Sequence, residues 1–307
     1  MDVTLTPGRS NEDLAALLPF PVAEANKYTR GHLNLVAGSA AYPGAACLAA
    51  AGATRAGAGY TEVFCAGKSM ITVRAWMPSL VVRDWRTWHP ARLEAPKPGH
   101  PTACVIGCGF DPEDSAPEPL VMETLRAFPG PVLIDGGALA LLATPTGLRL
   151  AAERAAAAPG STGEGGAAAA GPLVLTPHGG EAARLARGAR LPSFGSDTAA
   201  LAVAIARAYE AVVVLKGPVT YIATADGTVE IMDRGTAALA KAGTGDVLAG
   251  ILGALLAQGL APADAAALGC ALHAEAGRAA AEQLTPICVT AEDVANALPA
   301  AIRALTQ

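Results

Sequence analysis

Short aliphatic runs that alternate with small-residue stretches constrain the fold of this chain more than any other feature. Each run ends in glycine, proline or a polar turn, which is the pattern of strands and crossover helices in a parallel sheet. The predicted strands are 33–37, 60–64, 103–106, 132–134, 173–175 and 211–215. Two further runs, 219–223 and 229–232, flank Asp226-Gly227 and predict an antiparallel hairpin. We therefore expect an α/β fold with a central, mostly parallel sheet.

From about Thr244 the sequence changes to successive helical stretches. The predicted helices are 245–258, 262–283 and 291–306. Thr290 precedes the last of them, with Asp293 at the position that completes a capping box. This part of the chain therefore adds helices rather than strands.

Composition and charge exclude several classes of protein. Apolar residues make up 52% of the chain and charged residues 16%, so a large core is expected and general disorder is excluded. The net charge is −5 and the Lys and Arg residues are scattered, so no nucleic acid partner is expected. The six cysteines form no CxxC motif, which is typical of a reducing compartment. With no signal peptide and no apolar run of about 18 residues, we expect a cytoplasmic protein that does not contact a membrane.

The segment 155–171 differs from the rest of the chain, because it combines glycines with alanine runs and has no periodicity. We expect a flexible surface insertion there. The predicted strands on either side, 132–134 and 173–175, both look like central strands of one sheet, so a domain boundary between them would divide a core. Residues 1–307 are therefore predicted to form a single domain.

The strongest local signal is the stretch 242–250, Ala-Gly-Thr-Gly-Asp-Val-Leu-Ala-Gly, in which two glycines open an apolar helix. The free amides and the dipole at such a helix start favour a phosphate or a developing oxyanion. Asp246 lies in the first turn, where an acid either complements the helix dipole or takes a proton from a hydroxyl that attacks phosphorus. Both interpretations of Asp246 stay open on this motif alone.

Two more motifs follow predicted strands and therefore belong to the carboxyl edge of the sheet, where open α/β folds bind ligands. Lys216 ends one strand and is followed by Gly-Pro. It is either a solvent-exposed lysine or a cation that binds a ligand. His178, within Thr-Pro-His-Gly-Gly-Glu, follows another strand and is suitably located to form a hydrogen bond with a ligand.

Glycine-bearing turns after further strands, such as Gly107-Cys108-Gly109, favour close helix packing and leave room for a ligand. Cys270 and His273 share a predicted helix, but a lone Cys-x-x-His pair is more typical of core packing than of a zinc site. No metal-ligating set of residues is predicted. A Gly-x-Ser-x-Gly motif is also missing, which argues against a serine hydrolase.

Together the motifs resemble the ADP-dependent (S)-NAD(P)H-hydrate dehydratase family of the ribokinase-like superfamily. The resemblance runs from about 27 to 305 and is most specific in 176–181, 216–220 and 238–250. It implies a ribokinase-like three-layer α/β/α sandwich. Many relatives carry an additional N-terminal epimerase domain, and this chain is expected to have none.

The resemblance also implies a reaction and a set of site residues. ADP, with Mg2+ on its phosphates, would phosphorylate the hydroxyl of hydrated NADH or NADPH, and elimination of phosphate would restore the dihydronicotinamide and leave AMP. Asp246 would be the catalytic residue. The implied nucleotide-binding residues are Lys216, Gly217, Pro218, Val219, Thr220, Gly243, Thr244 and Gly245. The implied substrate-binding residues are Ala45, Gly107, Gly109, His178 and Asp246. The partners of the chain would be these small molecules, and the chain itself would form a homo-oligomer.

The chain departs from the usual family pattern mainly on the substrate side. It has Gly107-Cys108-Gly109 where the family usually has Gly-Pro-Gly, and Asp135-Gly136-Gly137 where Asp-Ala-Asp is common. Two other functions are therefore weighed. A ribokinase-like kinase for a small alcohol or vitamin precursor would release a stable phosphorylated product, and a catalytically silent nucleotide-binding module would bind ADP or ATP without releasing phosphate.

Overall fold

The computed structural model describes residues 3–93, 99–111, 113–157 and 170–307. The strands are β1 (Thr4–Pro7), β2 (His32–Val36), β3 (Tyr60–Cys65), β4 (Val81–Asp84), β5 (Thr102–Ile106), β6 (Val132–Ile134), β7 (Leu173–Leu175), β8 (Ala211–Leu215), β9 (Thr220–Ala223) and β10 (Thr228–Met232). The helices are α1 (Asn11–Ala16), α2 (Pro43–Arg55), α3 (Met70–Trp76), α4 (Glu118–Ala127), α5 (Gly137–Leu142), α6 (Pro145–Ala156), α7 (Gly179–Gly188), α8 (Thr198–Tyr209), α9 (Thr244–Ala257), α10 (Pro262–Leu284) and α11 (Ala291–Leu305).

One sheet runs through the described part of the chain, in the order β1-β10-β9-β8-β7-β6-β5-β2-β3-β4. All neighbouring strands are parallel except β9, which is antiparallel to both β8 and β10. The predicted mostly parallel sheet and its hairpin are therefore confirmed. Strands β1 and β4, which form the two edges, were not predicted.

Helices cover both faces of the sheet, because side chains alternate along each strand. On β2, Leu33 and Leu35 join a core that includes α2, α9, α10 and α11, whereas Val36 joins a second core with α4 to α8. On β5, Val105 and Ile106 divide in the same way. The three-layer α/β/α prediction is therefore confirmed.

The segment 155–171 is only partly described. Its first two residues end α6, and 158–169 lie outside the described residues, so the predicted insertion is not tested there. Strands β6 and β7, on either side of it, are adjacent in the sheet. Among the described helices, none is long and apolar enough to cross a membrane.

The close contact between α2 and α9 positions the start of α9. A Cβ added at Gly250 would lie 1.9 Å from the backbone oxygen of Ala49, and one added at Gly52 would lie 2.3 Å from that of Val247. On the sheet side, a Cβ at Gly253 would lie 2.2 Å from a side-chain carbon of Val105. Helix α9 therefore approaches both α2 and β5 more closely than any residue with a side chain permits.

We expect Gly250→Ala to destabilise the chain by about 1–3 kcal/mol or more, the usual cost of overpacking a core. Gly44→Ala, in the first turn of α2, is the matched control, because its Cβ would meet no described atom within 4 Å. Chemical denaturation of the two variants measures the difference. Equal stability of both variants would contradict the close crossing of α2 and α9.

Candidate active site

The loops after the central parallel strands meet at one edge of the sheet. The amide of Gly38, after β2, donates to the carbonyl oxygen of Cys108, after β5, at 2.9 Å. The amide of Lys216, after β8, donates to the carbonyl oxygen of Pro177, after β7, at 2.8 Å. The predicted site motifs therefore lie together at the carboxyl edge of the sheet.

The amino terminus of α9 lies at the same edge and is held in place by several hydrogen bonds. Gly243 adopts φ +92° at the N-cap, a conformation that favours glycine. The Thr244 hydroxyl lies 2.8 Å from the carbonyl oxygen of Leu239. His273 Nε2 lies 2.9 Å from the carbonyl oxygen of Thr244 and must donate, since that oxygen only accepts. Burial lowers the pKa of His273 to about 4, so its ring is neutral at physiological pH.

Lys216 does not extend into solvent but binds Asp135, the residue directly after β6. Lys216 Nζ donates to Asp135 Oδ1 at 3.0 Å, and Thr176 Oγ1 donates to the same oxygen at 2.6 Å. Burial by itself lowers the pKa of Lys216, but Asp135 and then Glu181 more than offset this effect, so the pKa is raised and the ammonium stays charged. The structure thus adds Asp135 and Thr176 to the residues considered from the sequence.

Asp246 is half-buried in the first turn of α9. A carboxylate oxygen of Asp246, a carboxylate oxygen of Asp135 and the Cys108 sulfur all lie within 4.8 Å of one another. Burial raises the pKa of Asp246 to about 7, Asp135 adds to the increase, and Lys216 opposes it. A carboxyl group that titrates near neutral pH is suited to accept and return a proton.

His178 caps α7 and exposes most of its side chain. Its Nδ1 accepts a hydrogen bond from the amide of Gly180 at 3.0 Å, and the His178 amide donates one to the Glu181 side-chain carboxylate at 2.8 Å. Because Nδ1 accepts, a neutral ring carries its proton on Nε2. His178 pairs with Lys216 in an isolated parallel bridge. The side chain is 62% exposed, and its Nε2 lies 3.5 Å from Glu181 Oε1.

Gly107, Gly109 and Ala45 pack the loops against one another. A Cβ at Gly107 would lie 2.0 Å from the backbone oxygen of Asp135, and one at Gly109 would lie 2.6 Å from the Ala45 Cβ. Both glycines have positive φ. Close loop packing therefore already explains these three predicted substrate-binding residues, and their contact with a substrate stays a prediction.

The predicted nucleotide-binding loop borders the start of α9. Gly217 and Pro218 are exposed, Val219 is half-buried, and Thr220 begins β9. A Cβ at Gly245 would lie 3.5 Å from Lys216 Nζ, so the lysine ammonium lies against the first turn of α9. The structure therefore brings a cation and helix amides together beside an open loop. Such a set can bind an anionic phosphate.

Sequence reasoning omitted Asp135, Cys108 and Thr176 from the site. Each residue lies one or two positions after a predicted buried strand. A polar residue one or two positions after a predicted buried strand is therefore the sequence signal by which such residues can be identified. The contacts among their side chains depend on the register of β5, β6 and β7, which the sequence does not reveal.

Comparison with solved structures identifies the class of fold. A ribokinase-like superfamily protein from Enterococcus faecalis superposes with a TM-score of 0.75 at 22% identity, covering 98% of this chain and 96% of that one. The ADP/ATP-dependent NAD(P)H-hydrate dehydratase from Bacillus subtilis, crystallised with ATP and Mg2+, gives a TM-score of 0.77 at 28% identity, covering 97% and 98%. The protein is therefore a ribokinase-like α/β protein.

Sequence comparison gives the family. The family model described as NAD(P)H-hydrate dehydratase matches residues 33–300, so the chain belongs to that family, as the resemblance of its motifs indicated. The bifunctional NAD(P)H-hydrate repair enzyme of Moorella thermoacetica is 35% identical over 94% of this chain and 52% of its own length. The enzyme of the same name from Escherichia coli is 32% identical over 87% and 46%. The chain spans about half the length of the curated relatives it matches.

The raised pKa of Asp246 predicts a pH-dependent gain in stability for Asp246→Asn. At neutral pH and above, the folded chain holds an ionised carboxylate in a poorly hydrated place beside Asp135, and the variant removes that cost. Below about pH 7 the wild-type carboxyl is protonated in the folded state, so the gain should shrink as the pH falls towards 3.8, its ordinary pKa. Thermal unfolding at several pH values measures this difference.

Asp264→Asn is the matched control for this prediction, because Asp264 also lies in the first turn of a helix, α10. It pairs with Arg9 at 2.6 Å and lies outside the acidic cluster at the sheet edge. The control variant should therefore not be stabilised. A gain in stability for Asp246→Asn that stays constant from pH 5 to pH 8 would contradict the raised pKa.

Proposed function

We propose that this chain catalyses the ADP-dependent dehydration of (S)-NAD(P)H hydrate to NAD(P)H, with release of AMP and phosphate. The observation that carries the proposal is a carboxyl group with a pKa of about 7, Asp246, at a glycine-rich helix start. Family membership supports the choice of hydrate as substrate.

The chemistry requires that a poor leaving group become a good one. The hydrate carries a hydroxyl at position 6 of the nicotinamide ring, and hydroxide leaves slowly. Transfer of the terminal phosphoryl group of ADP to this oxygen converts it to a phosphate ester. The C6–O bond then breaks and phosphate leaves with its electron pair. Loss of a proton from the neighbouring ring carbon restores the double bond of the dihydronicotinamide.

In this proposal Asp246 takes the proton of the attacking hydroxyl. Its raised pKa makes the carboxylate basic enough to do so while it remains largely ionised just above neutral pH. The amides of 243–245 and the ammonium of Lys216 would stabilise the charge that develops on the transferred phosphoryl group. Hydrogen bonds to Asp135 and His273 hold Lys216 and the start of α9 in place for this task.

The residues at the site fit a magnesium ion bound with the nucleotide phosphates. Asp135 accepts hydrogen bonds from Lys216 and Thr176 with Oδ1, and its Oδ2, which lies 3.7 Å from the Cys108 sulfur, would be the carboxylate oxygen for a cation. One carboxylate with substrate phosphates and water is a usual ligand set for Mg2+. When bound, the ion would offset the negative charge of the diphosphate.

The two substrates would occupy opposite sides of Asp246. Residues 217–220, of which Gly217 and Pro218 are exposed, and the buried Thr244 would border the nucleotide side, and the predicted contacts of the hydrate are Ala45, Gly107, Gly109 and the Nε2 of His178. ADP rather than ATP as the phosphoryl donor is part of this proposal, and the Bacillus subtilis relative is described as dependent on either nucleotide. A homo-oligomer and a cytoplasmic location remain predictions.

Asp246→Asn should lower turnover by roughly two to four orders of magnitude, the usual effect of removing a general base. The assay combines chemically hydrated NADH, ADP and Mg2+, and follows the recovery of reduced-nicotinamide absorbance together with the release of phosphate. Asp264→Asn is the control and should retain wild-type turnover.

The same assay separates the other candidate functions. A phosphorylated product that accumulates without recovery of absorbance indicates a kinase, and nucleotide binding without phosphate release indicates a silent module. Either outcome would overturn the proposed dehydration. Parallel reactions with ATP identify the preferred donor by whether AMP or ADP is formed.

Lys216→Met should raise the pKa that limits kcat/KM on the acid side. The positive charge of Lys216 lowers the pKa of Asp246, so its removal makes the base harder to ionise. The affinity for ADP should also weaken, because a phosphate contact is lost. Lys27→Met is the control, since Lys27 lies over the Tyr60 ring at the start of β3, at the opposite edge of the sheet. An unchanged pH profile with Lys216→Met would contradict this coupling.

A further inference from the structure

Cys108 is the residue of this site that the proposed reaction does not use. Its side chain is fully buried in the loop after β5, between Gly107 and Gly109. A thiol in this place gives the site a sulfur ligand group beside its two carboxylates.

Cys108 shares its place with two carboxylates from other parts of the fold. Its sulfur and one oxygen each of Asp135 and Asp246 lie within 4.8 Å of one another. They come from the loop after β5, the loop after β6 and the first turn of α9. Three such atoms from three separate elements are close enough together to be candidate ligands of one ion.

The carboxylate of Asp135 is oriented towards Cys108 by its other contacts. Lys216 and Thr176 both donate to Oδ1, at 3.0 Å and 2.6 Å. Oδ2 lies 3.7 Å from the Cys108 sulfur, a distance at which a thiol is only a weak donor. Fixing one oxygen of a carboxylate so that the other meets the ion is the usual supporting arrangement around metal ligands.

The charges at the cluster also favour a divalent cation. Two carboxylates face one ammonium, that of Lys216, among the described residues around the Cys108 sulfur, and burial together with these carboxylates raises the pKa of the thiol, so a bound cation must displace the thiol proton. Mg2+ prefers oxygen ligands and does not use a thiol, whereas Zn2+ binds thiolates and carboxylates in tetrahedral sites. A cluster of one sulfur and two oxygens therefore discriminates in favour of a softer cation.

We propose that Cys108, Asp135 and Asp246 form a binding site for a thiophilic divalent cation, represented by Zn2+, and that its occupation inhibits the enzyme. On binding, the thiol proton is released to solvent, the three side chains occupy three positions of a tetrahedron, and water occupies the fourth. No electron transfer is involved. The inhibition rests on the proposed function, because an Asp246 carboxylate bound to the ion no longer accepts the substrate proton.

The binding test uses Co2+ as a spectroscopic replacement for Zn2+ with the full, metal-free chain. Cobalt bound to a thiolate gives a charge-transfer band and tetrahedral ligand-field bands, and added Zn2+ should remove both. Cys108→Ser should abolish the charge-transfer band and weaken Zn2+ affinity by at least about tenfold, since even the loss of a group that supports a ligand costs this much.

Cys288→Ser is the matched control, because Cys288 is the exposed thiol and lies outside the cluster. This variant should keep the cobalt spectrum and the Zn2+ affinity. A charge-transfer band that persists in Cys108→Ser, or that disappears in Cys288→Ser, overturns the site. Absence of any thiolate band in the wild-type chain also overturns it.

The inhibition test adds Zn2+ to the hydrate assay at saturating Mg2+, followed by a chelator. Wild type and Cys288→Ser should lose turnover reversibly, and the Zn2+ concentration for half inhibition should rise at least about tenfold in Cys108→Ser. Equal inhibition of all three proteins overturns the regulatory claim. A Cys108-dependent cobalt spectrum in a chain without dehydratase turnover would reject the proposed function and support the metal site. Dehydratase turnover without a Cys108-dependent cobalt spectrum would support the proposed function and reject the metal site.

Discussion

The close approach of α9 to α2 and to β5 is the constraint on which the site depends. Gly250 and Gly52 allow backbone to lie against backbone, and Gly253 allows α9 to lie directly on the sheet. Because the helix is held at this depth, its first turn reaches the loops after β5, β6 and β8. A helix one side chain further away would leave Asp246 separated from Asp135 and Lys216.

The site brings two carboxyl groups, those of Asp135 and Asp246, into a poorly hydrated place. Only one positive charge, that of Lys216, faces them among the described residues. Lys216 donates a hydrogen bond to Asp135 and pairs with its charge. Asp246 has no such direct contact with Lys216 among the hydrogen bonds of the described residues, and its pKa is raised to about 7. This arrangement costs stability in the resting protein and, in the proposed reaction, would provide a base at neutral pH. The same imbalance makes the cluster receptive to a divalent cation, so the chemistry and its proposed inhibition have one electrostatic origin.

The sequence predicts the central strands well because they are buried on both faces and consist of continuous aliphatic runs. Strands 132–134, 173–175 and 211–215 agree with β6, β7 and β8. The edge strands β1 and β4 were not predicted, since short strands such as the mostly exposed Thr4–Pro7 carry no comparable aliphatic run. The capping box of Thr290 and Asp293 is present, because it depends only on local geometry. The side chains of Asp135 and Cys108 come into contact only through the register of β5 and β6. No local sequence pattern encodes that register.

The pairing of β1 with β10 has a consequence for the order of folding. Thr4 lies opposite Thr228, so β1 meets its partner only after all the residues between β1 and β10 have been synthesised. Contacts between such distant residues form slowly, because a long loop must close before they contribute. Until then the nascent chain exposes a free strand edge, with the attendant risk of aggregation. Completion of the sheet at β1 is therefore expected to be a late event in the biogenesis of this protein.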